Sequence, residues 1–220
     1  MIQNISLTAA DASISAWAQI PPQARVGVIL VQEIFGANAH IRAVLADFAA
    51  RGHAAIAPCF FDRIERGVEL DYDEVGHQRG RALVGQLGFD GPLRDCCAAE
   101  RHLRAQGIER VAVVGYCWGG AVAFLCATRL GLPAVSYYGR LVNQYLHERP
   151  QAPLLFHYGR DDALIPLSAV DGVRAALPEA ELHVYPAGHA FNRLGDPAGH
   201  PDSAALALSR TLAFIEAQAR

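Results

Sequence analysis

The stretch Arg110-Val111-Ala112-Val113-Val114-Gly115-Tyr116-Cys117-Trp118-Gly119-Gly120-Ala121-Val122-Ala123 decides how the chain folds. A β-branched run meets a small-residue turn and passes into a helix-forming sequence, so it reads as strand, sharp turn, helix. At its centre stands G-x-C-x-G. Such a turn holds its middle residue in a strained conformation, and a Cβ at Gly115 or Gly119 would crowd the crossing backbone. Cys117 is thereby expected above the carboxyl end of the strand, at the N-terminus of the following helix. The partial positive charge of that helix end favours a thiolate over a thiol. A buried structural cysteine beside a tight turn is the competing reading, and the residues downstream separate the two.

Working outward, the same alternation recurs. Val26-Gly27-Val28-Ile29-Leu30-Val31 is continuously apolar, as a strand buried on both faces should be. Before it, Ile2 to Ile20 reads as two short strands around the turn at Ala9-Ala10-Asp11-Ala12, an antiparallel hairpin at a sheet edge. After it, Ile41, Val44, Leu45 and Phe48 mark a helix that Gly52 closes, and Ala54 to Ala57 is a strand ended by Pro58. The span from Cys59 to Phe89 is more polar and predicts one helix over Asp73 to Leu87. A helix from Asp90 and Pro92 to Gly107 follows. Beyond the central stretch come a helix over Gly119 to Leu130, strands Ala134 to Tyr138 and Pro153 to His157, and a helix from Pro166 to Leu177. Strand Glu181 to Tyr185 and a final helix capped by Asp202 complete the chain. Strands alternating with helices imply βαβ units: a mostly parallel twisted sheet covered by helices on both faces, in three layers. No linker, repeat or low-complexity tract interrupts residues 1–220, which are expected to form one domain.

Composition narrows the chemistry. All 19 basic residues are arginine. Without lysine there is no Schiff-base or pyridoxal phosphate lysine and no Walker A lysine, and no GxGxxG marks a dinucleotide site. Neither a cofactor nor a metal is expected. The formal net charge of −3 gives no reason to expect nucleic acid. Cys59, Cys96, Cys97, Cys117 and Cys126 are odd in number and without CxxC spacing, so reduced thiols in a cytoplasmic protein are expected. No signal peptide is expected, since the N-terminus lacks a basic n-region and a continuous apolar h-region, and no apolar run reaches the length of a membrane span. Cys96, Cys97 and Cys126 read as small core residues. His40, His53, His77, His102, His147, His183 and His200 lack metal-ligand spacing and read as surface or half-buried.

A cysteine nucleophile needs a base, and the base needs an acid to orient it. Both types follow Cys117 at the carboxyl ends of expected strands, where parallel sheets place their sites. His157-Tyr158-Gly159-Arg160-Asp161-Asp162-Ala163-Leu164-Ile165-Pro166 supplies two acids, and Tyr185-Pro186-Ala187-Gly188-His189-Ala190-Phe191 supplies a histidine.

From about Val26 to the last helix the chain resembles the dienelactone hydrolase family of the α/β-hydrolase fold. The likeness rests on Gln32-Glu33-Ile34-Phe35-Gly36, Gly115-Tyr116-Cys117-Trp118-Gly119-Gly120, Tyr137-Tyr138-Gly139 and Ala187-Gly188-His189-Ala190-Phe191. The resemblance implies Cys117 as nucleophile, His189 as base and Asp162 as the orienting acid, with Asp161 the alternative. It implies that Glu33 takes the proton of the resting thiol, and that the backbone N–H groups of Ile34 and Trp118 form an oxyanion hole. It also implies a substrate carboxylate held by arginines, one at Arg193 and the other at Arg79 or Arg81. Leu83 and Gln86 stand where pocket aromatics of relatives would be expected. Tyr137-Tyr138 reads equally as pocket edge or core. The implied reaction opens a small anionic unsaturated lactone through a thioester, as in carboxymethylenebutenolide opening to maleylacetate during chlorinated aromatic degradation. The short spacing from Cys117 to Asp162 leaves no room for a large cap domain. General carboxylesterase or thioesterase activity on the same triad, or a non-catalytic thiol sensor of this fold, are the alternatives. The partner is a small molecule, and the protein is expected as a monomer or small homo-oligomer.

Overall fold

The computed structural model describes residues 1–218. Eight strands form one sheet in the order β1-β2-β4-β3-β5-β6-β7-β8. The chain packs as two compact units, Met1–Val113 and Val114 onward, with the division falling inside β5, Arg110–Tyr116.

In the first unit, β1 (Gln3–Thr8) and β2 (Ser13–Gln19) are antiparallel, and β2 is antiparallel to β4 (Ala54–Pro58). The six residues of β3 (Val26–Val31) are all buried, and β3 runs parallel to β4. Helix α1 (Ala39–Ala50) starts where the Asn38 side chain accepts the Ile41 N–H, and it buries Ile41, Leu45, Phe48 and Ala49. Gly52 follows at φ +90°, a conformation open to glycine and costly for other residues.

The polar span after β4 holds a 3₁₀ turn at Phe60–Arg63 and then α2 (Glu74–Leu87), for which Asp73 is the cap. Its order comes from packing, since Leu83 joins Phe61 and Val68 in a small satellite core. Helix α3 (Asp90–Ala105) lies close on β3: a Cβ at Gly27 would come within 2.9 Å of Leu103.

In the second unit, α4 (Trp118–Arg129) is buried over almost its whole length, which explains its even hydrophobicity. Strands β6 (Ala134–Tyr137), β7 (Leu154–Gly159) and β8 (Glu181–Tyr185) are parallel neighbours. Their register aligns Tyr137 with His157 and His157 with His183. Helix α5 (Leu167–Ala176) lies between β7 and β8 in the chain, and α6 (Pro201–Ala217) ends the described structure.

Three sequence expectations are corrected here. The cap of α6 is His200, whose ring accepts the Ser203 N–H; Pro201 fixes the first helical position, leaving Asp202 inside the first turn. His53 is 6% exposed, because the chain leaving α1 tucks it against Phe48. Cys97 is only half-buried, whereas Cys96 and Cys126 are core residues. No disulfide joins the five cysteines. Among the described residues, no helix is long and apolar enough to cross a membrane.

Candidate active site

The turn after β5 carries the strain its glycine spacing implies. Cys117 sits at φ 55°, ψ −115°, a conformation few side chains adopt. A Cβ at Gly115 would lie 1.9 Å from the Gly119 carbonyl oxygen, so only glycine permits this crossing. The Cys117 N–H donates to the Tyr137 carbonyl at 3.0 Å, and the Cys117 carbonyl accepts the Gly120 N–H at 3.0 Å. Trp118 opens α4, which places the cysteine at a helix N-terminus.

Two loops of the same unit bring side chains to the sulfur. His189 Nε2 stands 3.2 Å from Cys117 Sγ, and His189 Nδ1 stands 2.7 Å from Asp162 Oδ2. Asp162 can only accept when ionised, so Nδ1–H is the donor and Nε2 faces the thiol. The other carboxylate oxygen of Asp162 accepts the N–H groups of Leu164 at 2.8 Å and Ile165 at 3.0 Å. Its neighbour Asp161 has a side chain 62% exposed and pairs with Arg160 instead. Burial opposes a charge on His189. The hydrogen bonds to Asp162 and Cys117 outweigh it and push the ring's pKa up to about 10.

The wall behind His189 is aromatic. The Tyr138 ring lies 5.0 Å from the His189 ring, and Phe191 packs on Tyr137, Tyr138 and Tyr185. Tyr138 and Ala190 take positive φ, 39° and 63°, without being glycine. No sequence pattern flags these two positions, because the surrounding packing imposes the strain. Arg193, on the turn after His189, is 7% exposed, and its N–H donates to the Ala190 carbonyl at 2.9 Å.

The remaining expected residues lie in the first unit. Glu33 is 2% exposed, on the loop leaving β3. That loop is clamped from outside: the Phe35 ring meets Tyr72 at 4.7 Å and His77 at 4.8 Å, and the Phe35 carbonyl accepts the Leu70 N–H. Helix α2 presses directly on Ile34, since a Cβ at Gly80 would lie 2.2 Å from the Ile34 carbonyl oxygen. Arg79 and Arg81 flank that contact. The Arg79 guanidinium is exposed and paired with Glu65 at 2.7 Å, while Arg81 Nε donates to the His77 carbonyl at 3.3 Å. The clamp residues Leu70, Tyr72 and His77 escaped the sequence reading because their role depends on contacts made across the fold.

A family model described as "Dienelactone hydrolase family" matches residues 14–219. The chain belongs to the dienelactone hydrolase family. It is 33% identical over 227 residues to the carboxymethylenebutenolidase of Pseudomonas putida, covering 98% of this chain and 96% of that one. The carboxymethylenebutenolidase of Pseudomonas sp. strain P51 is 32% identical, covering 91% of this chain and 89% of its own. A crystal structure of a provisionally named dienelactone hydrolase from Klebsiella pneumoniae subsp. pneumoniae MGH 78578 superposes with a TM-score of 0.87 at 29% identity, covering 98% of each chain. This member of the dienelactone hydrolase family is therefore an ester- or lactone-hydrolysing enzyme of the α/β-hydrolase fold.

Proposed function

We propose that this protein opens a small, anionic, unsaturated lactone of the dienelactone type, with Cys117, His189 and Asp162 as its triad in one domain spanning 1–220. The observation that carries the reading is the His189 ring, 3.2 Å from the thiol on one side and 2.7 Å from Asp162 on the other. A nucleophile, a base and an orienting acid within hydrogen-bond reach are what acyl transfer requires.

In this reading the Cys117 sulfur attacks the lactone carbonyl. A carbon–sulfur bond forms, the ring carbon–oxygen bond breaks, and the freed oxygen takes a proton from His189. The thioester is then hydrolysed by water that His189 deprotonates, and the thiol is regenerated. A histidine whose pKa stands at about 10 keeps its proton at neutral pH, so it is ready as the acid but poor as the first base. As the family resemblance implies, the carboxylate of Glu33 is the group that takes the thiol proton. The N–H groups of Ile34 and Trp118 would hold the developing oxyanion. Arg193 would bind the substrate carboxylate through its guanidinium fork, with Arg79 or Arg81 as second partner. Cysteine chemistry of this kind suits a reducing, cytoplasmic setting.

Steady-state hydrolysis of cis- and trans-dienelactone beside p-nitrophenyl acetate tests the assignment. Lactone opening far above the ester rate, with kcat/KM for the lactone selectively lowered in Arg193→Ala, is expected. Ester hydrolysis alone, unaffected by Arg193→Ala, would replace this reading with a general carboxylesterase or thioesterase, which the exposed Arg79–Glu65 pair favours as the second reading.

A further inference from the structure

Behind the triad, four side chains from four elements meet in one buried hydrogen-bonded node. His157 of β7 is fully buried. Its Nδ1 lies 2.8 Å from the Tyr185 hydroxyl of β8, and its Nε2 lies 3.0 Å from Thr211 Oγ1 of α6. Thr211 Oγ1 is in turn 2.7 Å from the Tyr137 hydroxyl of β6. Arg210 donates to the Tyr185 hydroxyl at 3.1 Å.

These partners favour one direction for the bonds. A guanidinium can only donate, so the Tyr185 oxygen accepts from Arg210 and its own O–H is left for His157 Nδ1. His157 then carries its proton on Nε2 and donates it to Thr211. Burial, with His183 and Arg210 nearby, pushes the His157 pKa well down, which keeps the ring neutral as this chain of bonds requires.

The backbones of the same residues hold the triad. The Tyr137 carbonyl accepts the Cys117 N–H at 3.0 Å. The His157 carbonyl accepts the N–H of Tyr138, whose ring lies against His189, at 2.7 Å. The Tyr185 carbonyl accepts the N–H groups of Arg160 at 2.7 Å and Ala187 at 2.8 Å, and the Ala187 carbonyl accepts the Asp161 N–H at 3.0 Å. Tyr137 and Tyr185 thus tie a side chain to the node and a carbonyl to turns bearing the nucleophile, the acid or the histidine, and His157 ties its carbonyl to Tyr138, whose ring backs His189.

We propose that Thr211, through His157, Tyr185 and Tyr137, is a positioning residue that sets the relative placement of the three triad turns. The proposal rests on the triad reading above. It follows from the node's composition: β7 and β8, which lead into the turns bearing Asp162 and His189, are linked through His157 and the Thr211 hydroxyl to β6, whose Tyr137 carbonyl holds the Cys117 N–H. Reacting groups displaced by about 1 Å lose about a hundredfold in rate, so a node fixing three strand ends acts on catalysis without touching substrate.

The test is Thr211→Val, which keeps the shape and removes the hydroxyl, beside Thr211→Ser, which keeps the hydroxyl. Expected for valine is a fall in kcat of about tenfold with KM held within about twofold, reversed by serine. The rate of Cys117 alkylation by iodoacetamide at neutral pH, corrected with Cys117→Ala, should fall with it. A kcat and an alkylation rate both unchanged in Thr211→Val would overturn the proposal. Should the valine variant not fold, Tyr185→Phe removes the Nδ1 partner, together with the Arg210 acceptor; the same losses are expected, and unchanged rates overturn it. Alkylation needs no lactone. A wild-type protein that opens none, but whose alkylation rate falls in Thr211→Val, would refute the assigned substrate and leave the positioning role standing.

Discussion

Asp162 divides its two carboxylate oxygens between two tasks: Oδ2 takes the Nδ1 proton of His189 at 2.7 Å, and Oδ1 takes the N–H groups of Leu164 and Ile165. The backbone bonds fix the carboxylate before it meets the ring, so the histidine is oriented by a group that is itself immobilised. Asp162→Asn offers an amide that can turn its NH₂ toward Nδ1, inverting the tautomer. Turnover should fall by about three to four orders of magnitude, by analogy with other triads. Asp161→Asn, at an exposed carboxylate paired with Arg160, should leave kcat nearly unchanged. Comparable losses in both variants would contradict the assignment.

The elevated pKa of His189 also predicts a stability change with pH. The folded ring titrates at about 10, against about 6.5 for an unfolded histidine. Its folded-state pKa is raised, so its contribution is fully present below about pH 6.5 and lost as pH rises through about 10. Melting temperatures of wild type and His189→Asn across that window should converge as pH rises. Parallel curves would show that the ring does not hold its proton in the fold.

His157 has the opposite sign. Its folded pKa is depressed, chiefly by burial and also by His183 and Arg210, with Tyr185, Thr211 and Tyr137 packed around the ring. Unfolding lets it take a proton, so stability falls as pH drops below about 6.5. In His157→Gln, the acid-side decline of the melting temperature between about pH 6.5 and pH 5 should be shallower than in wild type. An identical slope would place the acid sensitivity elsewhere.

Arg193 is a buried guanidinium on the histidine loop, while Arg79 is exposed and engaged with Glu65. Arg193→Ala should therefore raise KM for an anionic lactone by about tenfold or more, the scale of a charge-assisted hydrogen bond, and leave p-nitrophenyl acetate hydrolysis unchanged. Arg79→Ala should have the smaller effect. A larger KM effect from Arg79→Ala would reverse their roles as carboxylate partners.

Much of this was legible in the sequence because it is local. The strain at Cys117 follows from the glycine spacing around it, and the buried strands from unbroken β-branched runs. The resemblance singled out His189 and preferred Asp162 over Asp161, and the geometry brings Asp162 to the ring. What was not legible is held by distant contacts. Nothing near Gly80 in sequence announces that α2 presses on Ile34, and nothing near Thr211 announces two strands converging on its hydroxyl. His200 was overlooked as a cap because an imidazole is rarely one and an aspartate stood two residues on.

The central claim is that Cys117 becomes acylated by the lactone. Ring opening expels no fragment, so an acyl-enzyme carries the whole substrate, whereas p-nitrophenyl acetate leaves only an acetyl group. The decisive measurement is the intact mass of enzyme acid-quenched during turnover of dienelactone, with the adduct located by peptide mapping. We predict a single adduct of the full lactone mass on the peptide containing Cys117, absent from an inactive Cys117→Ala. Undiminished lactone hydrolysis by Cys117→Ala would contradict the account.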